Sequence, residues 1–453
     1  MKRTNAEENG MAEDCVKQPA RKPDAKIPAL FSSFASKKYS LPLFFLFAFL
    51  CLFLSAKIGG YDVFDITGDK NEAATFLYLL DFRVGFTTRL LIGAVLGLFT
   101  DRITPTLIFQ VSGYSILVSF LLHALLGGMV LRKSIAKREY LVSLFTLVFL
   151  LHSLTSLQNI RIKGCLDTYI YILFLLWLFF FDRYASVFSA PVLCVICMLI
   201  HYSYLFSFMP PVLALVFYGI FFSEKRGKRI CCGVSFAVGA AAVIGLFLYF
   251  VLFANDHLKM TRDELYPYLE SKYALTAMEE IHMRRIWNGE LFFHDYIDIY
   301  LFNIDMDTGM LGNSDSALGF LRNGVGSYLS PSLYLKYAAV FFPLFTAFAA
   351  LWIACMKKMG GAKKLPYIVF VGMPVTLLPA CYMSTDVWRW VSASIISQLC
   401  VLFALYRVGD KALLAVIHSE KMQKTPVKIV LCVLFAAYIV YALWFGVDLP
   451  IVS

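Results

Sequence analysis

Apolar runs long enough to cross a bilayer recur along the whole chain, and they limit its fold more than any other feature. Lipid hydrocarbon offers the backbone no hydrogen-bond partners, so a spanning segment must satisfy its N–H and C=O groups internally. A helix does this with about 17–25 apolar residues. The chain has 453 residues, of which 59% are hydrophobic and only 16% charged, and its mean hydropathy is +0.70. A soluble domain of this length would need far more charge to cover its surface. The expected fold is all-α, a polytopic transmembrane helix bundle.

The net charge of +10 does not point to nucleic acid. Lys and Arg sit in short loops between apolar runs, where they set orientation, and no basic patch carries interleaved aromatics. The 11 cysteines are scattered, mostly within apolar runs, and form no loop-borne disulfide or zinc framework. Cys194 and Cys197 have CxxC spacing but lie inside VLCVICMLI, where small apolar packing is the expected role. No cleaved signal peptide is expected, because the polar residues 1–38 precede the first run and no small-residue site follows it. These residues read as a disordered cytoplasmic tail.

The stretch Lys57–Ile103 decides the topology. It carries Asp62, Asp65, Asp69, Asp81, Arg83 and Arg89 and then runs into apolar residues. If Val84–Phe99 crosses, the basic loops at 132–138, 223–229 and 357–364 fall outside, against the positive-inside rule. If it lies in the interface or re-enters, every basic loop returns to the cytoplasm. The second reading gives eleven spans, near 39–56, 106–131, 140–157, 168–181, 187–202, 207–222, 230–253, 337–355, 365–382, 390–406 and 429–447. The N-terminus is then inside and the C-terminus outside. Residues 39–253 hold seven spans with the charged external loop 57–105. Residues 254–336 form an external cap, and 337–453 hold the last four spans.

Three polar features fall on the outer side. In 57–105, a short helix is expected over Asn71–Leu80, and Arg89 close to hydrocarbon should snorkel or pair, most simply with Asp81. An interfacial helix without chemistry is an equal alternative. In 158–167, Arg161, Lys163 and Asp167 occupy a short turn, and Asp167 suits the N-terminus of the next helix. In 254–336, helical spacing covers 261–290, and the length suits a functional loop. His201 closes one apolar run, and Asp386 and Arg389 share a face at the start of another. No Walker A loop, GxSxG or HExxH occurs.

Four stretches carry a resemblance: DFRVGFTTRLLIG at 81–93, LDTYIYIL at 166–173, LIHYSYLFSFMPP at 199–211 and DVWRW at 386–390. In this order they resemble a largely uncharacterised group of polytopic bacterial proteins of surface-polysaccharide loci, over roughly 61–215 and 379–395. That group commonly has an acid after the histidine, where this chain has Tyr202. The layout of 57–105 also looks like that of C-superfamily membrane glycosyltransferases, which use polyprenyl-phosphate-linked sugars. O-antigen-type polymerases are similar in span number and large external loop.

The resemblance implies an enzyme of cell-surface glycan assembly in the cell membrane. Its partners would be the lipid bilayer, a polyprenyl-linked sugar donor and a glycan acceptor, with no nucleic acid. A carboxylate would act as base on the acceptor hydroxyl, with Asp62, Asp65 and Asp81 as candidates. Cations would hold the carrier phosphate, since the Arg fork suits it; Arg83, Arg89, Arg161, Lys163 and Arg389 are candidates, with Asp167, His201 and Asp386 beside them. No protein-bound metal is assigned and no cofactor is needed, with a divalent cation left open. A transporter or flippase of lipid-linked glycans and a scaffold for a synthesis complex are the competing classes.

Overall fold

The protein is described here by a computed structural model covering residues 26–59, 76–157, 165–252, 259–260, 262–272, 331–383 and 387–447. Asp62, Asp65, Arg161, Lys163, Asp386 and most of the expected cap lie outside these residues. The described residues are almost entirely helical, without strands. Six helices are long and apolar enough to cross a membrane: Lys38–Ile58, Thr106–Lys137, Arg226–Phe250, Leu335–Lys357, Arg389–Val408 and Thr425–Trp444. They suit a membrane-embedded protein in contact with lipid.

The helices follow in order. α1 (Lys26–Ser36) and α2 (Leu41–Ile58) precede the first loop. That loop holds α3 (Leu91–Leu96) and leads to α4 (Pro105–Lys137). Next come α5 (Tyr140–Leu151), α6 (Ser153–Leu157), α7 (Asp167–Phe179), α8 (Tyr184–Ile200), α9 (Met209–Phe222) and α10 (Arg226–Leu252). α11 (Arg262–Lys272) begins the long polar segment, and α12 (Pro331–Lys357) follows it. α13 (Leu365–Gly372), α14 (Leu377–Met383), α15 (Val387–Val408), α16 (Lys411–Ile417), α17 (Glu420–Gln423) and α18 (Thr425–Val447) complete the chain.

Two expectations about the first hundred residues meet the structure differently. The tail is helical over Lys26–Ser36, and α1 packs on α4. Arg132 of α4 secures that contact by donating to the Ala35 carbonyl at 3.1 Å, the Lys37 carbonyl at 3.1 Å and Ser40 Oγ at 3.0 Å. Of the expected helix over Asn71–Leu80, residues 71–75 lie outside the described residues, and Phe76–Tyr78 form a 3-10 turn. Val84–Phe99 holds only the six-residue α3, about 9 Å of helix, far short of a bilayer. α4 is the opposite case: at 33 residues it runs about 50 Å, so its basic end projects beyond the hydrocarbon.

Burial sorts the long helices. The apolar window of α15 is 89% buried, that of α18 only 11%. α15 is therefore the central helix and α18 faces lipid. The central position explains the polar residues of α15. Ser392, Ser397 and Gln398 are buried, and each donates to a backbone carbonyl distant in sequence: Leu154, Ser207 and Phe370. Pro374 has no N–H, so the Phe370 carbonyl four residues earlier loses its helical donor. Gln398 supplies one at 2.8 Å and accepts the Trp352 indole N–H at 2.7 Å. The same proline divides the expected span 365–382 into α13, a 3-10 turn at Met373–Thr376, and α14.

The expected span 140–157 is broken too, at His152. His152 Nδ1 accepts the Leu154 N–H at 3.1 Å, which ends α5 and starts α6. Carbonyls freed at this break find side chains from other helices. Phe149 accepts from His123 of α4 at 2.9 Å, Leu151 from Ser55 of α2 at 3.2 Å, and Leu154 from Ser392 of α15. Because a backbone N–H can only donate, His152 carries its proton on Nε2, which donates to Tyr438 of α18 at 2.9 Å.

If Gln398 carries this load, Gln398→Leu leaves the Phe370 carbonyl and the Trp352 N–H without partners. The expected loss is about 1–3 kcal/mol for each orphaned group, seen as a lower melting temperature in detergent. An unchanged melting temperature would show that α13 and α15 do not depend on it.

Candidate functional site

The polar residues divide between the two ends of the bundle. At one end Lys133 donates to the Tyr406 and Arg407 carbonyls, both at 3.1 Å, and Arg407 donates to the Leu178 and Phe179 carbonyls that end α7, at 3.1 and 3.0 Å. Glu139 is fully buried there, holding the Tyr406 hydroxyl and His418. At the other end lie Asp81, Arg83, Arg89, Asp167, His201 and Arg389.

The first loop is fastened there to the end of α8. That helix stops at Ile200, which leaves the Met198 and Leu199 carbonyls without their ordinary donors. Thr88 Oγ1 donates to Met198 O at 3.1 Å and accepts the Tyr202 N–H at 3.1 Å, so one hydroxyl takes the place of a helical bond. The Arg89 N–H donates to Leu199 O at 2.9 Å. To do so Arg89 adopts φ 72°, a left-handed conformation uncommon for a residue with a side chain. Its guanidinium is buried, 5.0 Å from the Tyr202 ring centre, with Nη2 donating to the Tyr202 hydroxyl at 3.2 Å.

His201, Tyr202 and Ser203 connect this contact to a buried ion pair. His201 Nδ1 accepts the Ser203 N–H at 2.9 Å, so the neutral ring carries its proton on Nε2. Ser203 Oγ donates to Asp167 Oδ1 at 2.5 Å, and Arg389 of α15 pairs with Asp167 Oδ2. Asp167 is the first residue of α7, where a negative charge meets the positive end of the helix. The structure thus brings Arg89, His201, Asp167 and Arg389 into one connected network, to which Tyr202, Ser203 and Thr88 also belong.

Asp81 and Arg83 stand further along the same loop. Asp81 Oδ2 accepts from Lys272 Nζ at 2.7 Å, the Tyr268 hydroxyl at 2.8 Å and Arg83 Nε at 3.1 Å. Oδ1 accepts the Arg83 N–H at 2.9 Å. Burial works against ionisation of Asp81, but the hydrogen bonds from Lys272, the Arg83 amide and Tyr268 outweigh it and lower the carboxyl from 3.8 to about 2. The Asp81 carboxylate in turn raises the Arg83 guanidinium. Lys272 also donates to the Leu79 carbonyl at 3.1 Å, and its own carbonyl accepts from the Ile103 N–H at 2.7 Å. α11 is therefore clamped onto the first loop. α3 crosses that loop so closely that a Cβ on Gly93 would stand 2.0 Å from the Leu80 carbonyl oxygen.

One sequence expectation needs correcting: Arg89 does not pair with Asp81, which Lys272 and Arg83 hold instead. Both Asp81 oxygens are occupied, by Lys272, Tyr268 and Arg83. Of the residues that the sequence reading missed, Tyr268 and Lys272 had a signal, their i, i+4 spacing on one helical face. Tyr202, Ser203 and Thr88 had none. Among the described residues no group of three or more His, Cys, Asp or Glu side chains could hold a metal ion.

Comparison with protein families, curated proteins and solved structures finds no match for this chain. Its functional reading rests on the geometry above and on the sequence.

The clamp has a pH dependence of definite sign. The Asp81 carboxyl is lowered on folding, so its contribution is complete above its ordinary 3.8 and lost as pH falls through about 2. Asp81→Asn should mimic acid at neutral pH, leaving the buried Lys272 ammonium without its counter-charge, a cost of about 3–5 kcal/mol. Trypsin cleavage after Lys272 should then be faster in Asp81→Asn than in the unsubstituted protein at pH 7. Equal rates would mean that the ion pair does not hold α11.

Proposed function

We propose that the chain is an integral membrane enzyme of cell-surface glycan assembly, a glycosyltransferase using a polyprenyl-linked sugar on the outer face of the membrane. The observation that carries this reading is the network of Arg89, Tyr202, His201, Ser203, Asp167 and Arg389 at one end of a bundle of apolar helices. A lipid-linked donor keeps its isoprenoid chain in hydrocarbon and its phosphate at the interface. Cations placed where apolar helices end are suited to that phosphate, and Arg offers a two-pronged fork to it. His201 adds an Nε2–H donor. Developing charge on the leaving phosphate would be stabilised by donors already in place.

In this reading eleven spans cross the cell membrane. The broken pairs α5–α6 and α13–α14 and the shorter helices α7, α8 and α9 count among them, the N-terminus is cytoplasmic and the C-terminus external. The contacts support the alternation: basic residues of α4, α10 and α15 meet at one end, while Asp81, Arg89, Asp167 and Arg389 meet at the other. Asp62 and Asp65 take the role of base, and Asp81 anchors α11. A polysaccharide polymerase would use the same phosphate-binding chemistry on a longer donor. Transport of a charged lipid-linked glycan is less well supported, because the buried polar side chains His123, His152, Ser392 and Gln398 within the bundle are engaged in helix-to-helix hydrogen bonds.

Purified protein in lipid nanodiscs should transfer sugar from a polyprenyl-phosphate or polyprenyl-pyrophosphate donor. Arg89→Gln and Asp65→Asn should each lower turnover by about 10²–10³-fold without lowering the amount of folded protein. Full turnover by both variants would reject the site, and no turnover by the unsubstituted protein with either donor class would reject the activity.

A further inference from the structure

Trp390 presents a polar group that the fold does not use. It is the fourth residue of α15, directly after Arg389. Its side chain is 8% exposed, and its indole Nε1–H is shut off from solvent without a hydrogen-bond partner. Buried indole N–H groups ordinarily find an acceptor, as Trp352 does on Gln398 and Trp177 does on the Ser186 carbonyl at 2.9 Å. The ring itself is well placed. It packs with Leu377 and Ala380 of α14 and meets the Phe206 ring edge-on at 6.1 Å. An all-carbon ring would fill the same space and leave no donor stranded. The indole at this position is therefore unexplained by packing.

Its neighbours indicate what the donor is for. The Arg389 guanidinium lies 5.8 Å from the centre of the same ring and is held by Asp167, which Ser203 also holds. A fixed cation and an uncommitted N–H thus sit side by side at the end of the bundle where the network lies. Phe206 and Phe341, both half-buried, are the wall beside the indole.

We propose that Trp390 Nε1–H donates to a phosphoryl oxygen of a lipid-linked phosphate seated beside the Arg389–Asp167 pair. The ring then supplies an apolar wall for the first isoprene units, and its N–H fixes the phosphate's orientation. This rests on the polyprenyl-carrier reading above and adds a contact to it. No bond is made or broken by Trp390, which acts as a binding residue.

The test uses full-length protein in detergent micelles with polyprenyl monophosphate as the probe. The polyprenol of equal length and inorganic phosphate serve as controls. Trp390→Phe keeps the ring and removes only the N–H. Its melting temperature without ligand should match or exceed that of the unsubstituted protein, because a stranded donor has been removed. Its affinity for polyprenyl monophosphate should fall about tenfold or more, as expected for a hydrogen bond to a charged group. Polyprenol binding should stay the same in both proteins, and inorganic phosphate should bind neither measurably. Equal affinity of both proteins for polyprenyl monophosphate would overturn the role of Trp390 and leave the carrier reading standing. Loss of polyprenol affinity in parallel would also overturn it, by showing a packing effect. Failure of the unsubstituted protein to bind polyprenyl monophosphate would overturn both.

Discussion

A backbone carbonyl that loses its helical donor inside an apolar surround costs several kcal/mol unless another group serves it. This constraint organises the structure. Long unbroken helices such as α10 and α18 avoid it. At several of the described breaks and ends, a polar side chain from elsewhere supplies the missing donor. Gln398 serves Phe370 below Pro374, Ser55 and Ser392 serve the α5–α6 break, and Arg407 serves the end of α7. Each such bond joins two helices that are distant in sequence. The polar residues of the interior are thus the means by which the bundle is assembled, and α15 carries several of them because it is the helix that every break can reach.

The same constraint builds the candidate site. α8 ends early, and the first loop completes it through Thr88 and the Arg89 amide. Serving the helix forces Arg89 into a left-handed conformation and fixes its guanidinium over Tyr202. His201 repeats the device seen at His152: a ring Nδ1 accepts an N–H two residues on, and Nε2 is left as the donor. At His152 that donor is used on Tyr438. At His201 the nearby charge is Arg89. Asp167 faces Arg389, and Asp81 faces both Lys272 and Arg83, so cations outnumber carboxylates among these groups.

What the sequence made legible follows from how local each cause is. Helix class and the long spans come from hydropathy, which is a property of contiguous residues. The reading in which Val84–Phe99 does not cross came from positive-inside bookkeeping, which uses many loops at once, and the six-residue α3 there suits it. Pairing partners were not legible. Asp81 and Lys272 are separated by most of the bundle, as are Asp167 and Arg389, and nothing near either residue names its mate. The short spacing of Asp386 and Arg389 suggested a local pair, which lies outside the described residues, and it gave no sign that Arg389 also reaches across to Asp167. The break at His152 was hidden for a related reason: no proline or glycine marks it, and the cap is made by the histidine ring.

The central claim is that the first loop returns to the face it left, held by the end of α8. Single cysteines at Lys57, Arg102 and Lys137, in a background without the native cysteines, test it through labelling by a membrane-impermeant thiol reagent in intact cells. All three side chains are at least partly exposed. The account predicts that positions 57 and 102 are labelled from the same side, the outside, and that position 137 is labelled only after the membrane is opened. Labelling of 57 and 102 from opposite sides would mean that Val84–Phe99 passes through the bilayer, and the network at the end of α8 could not form.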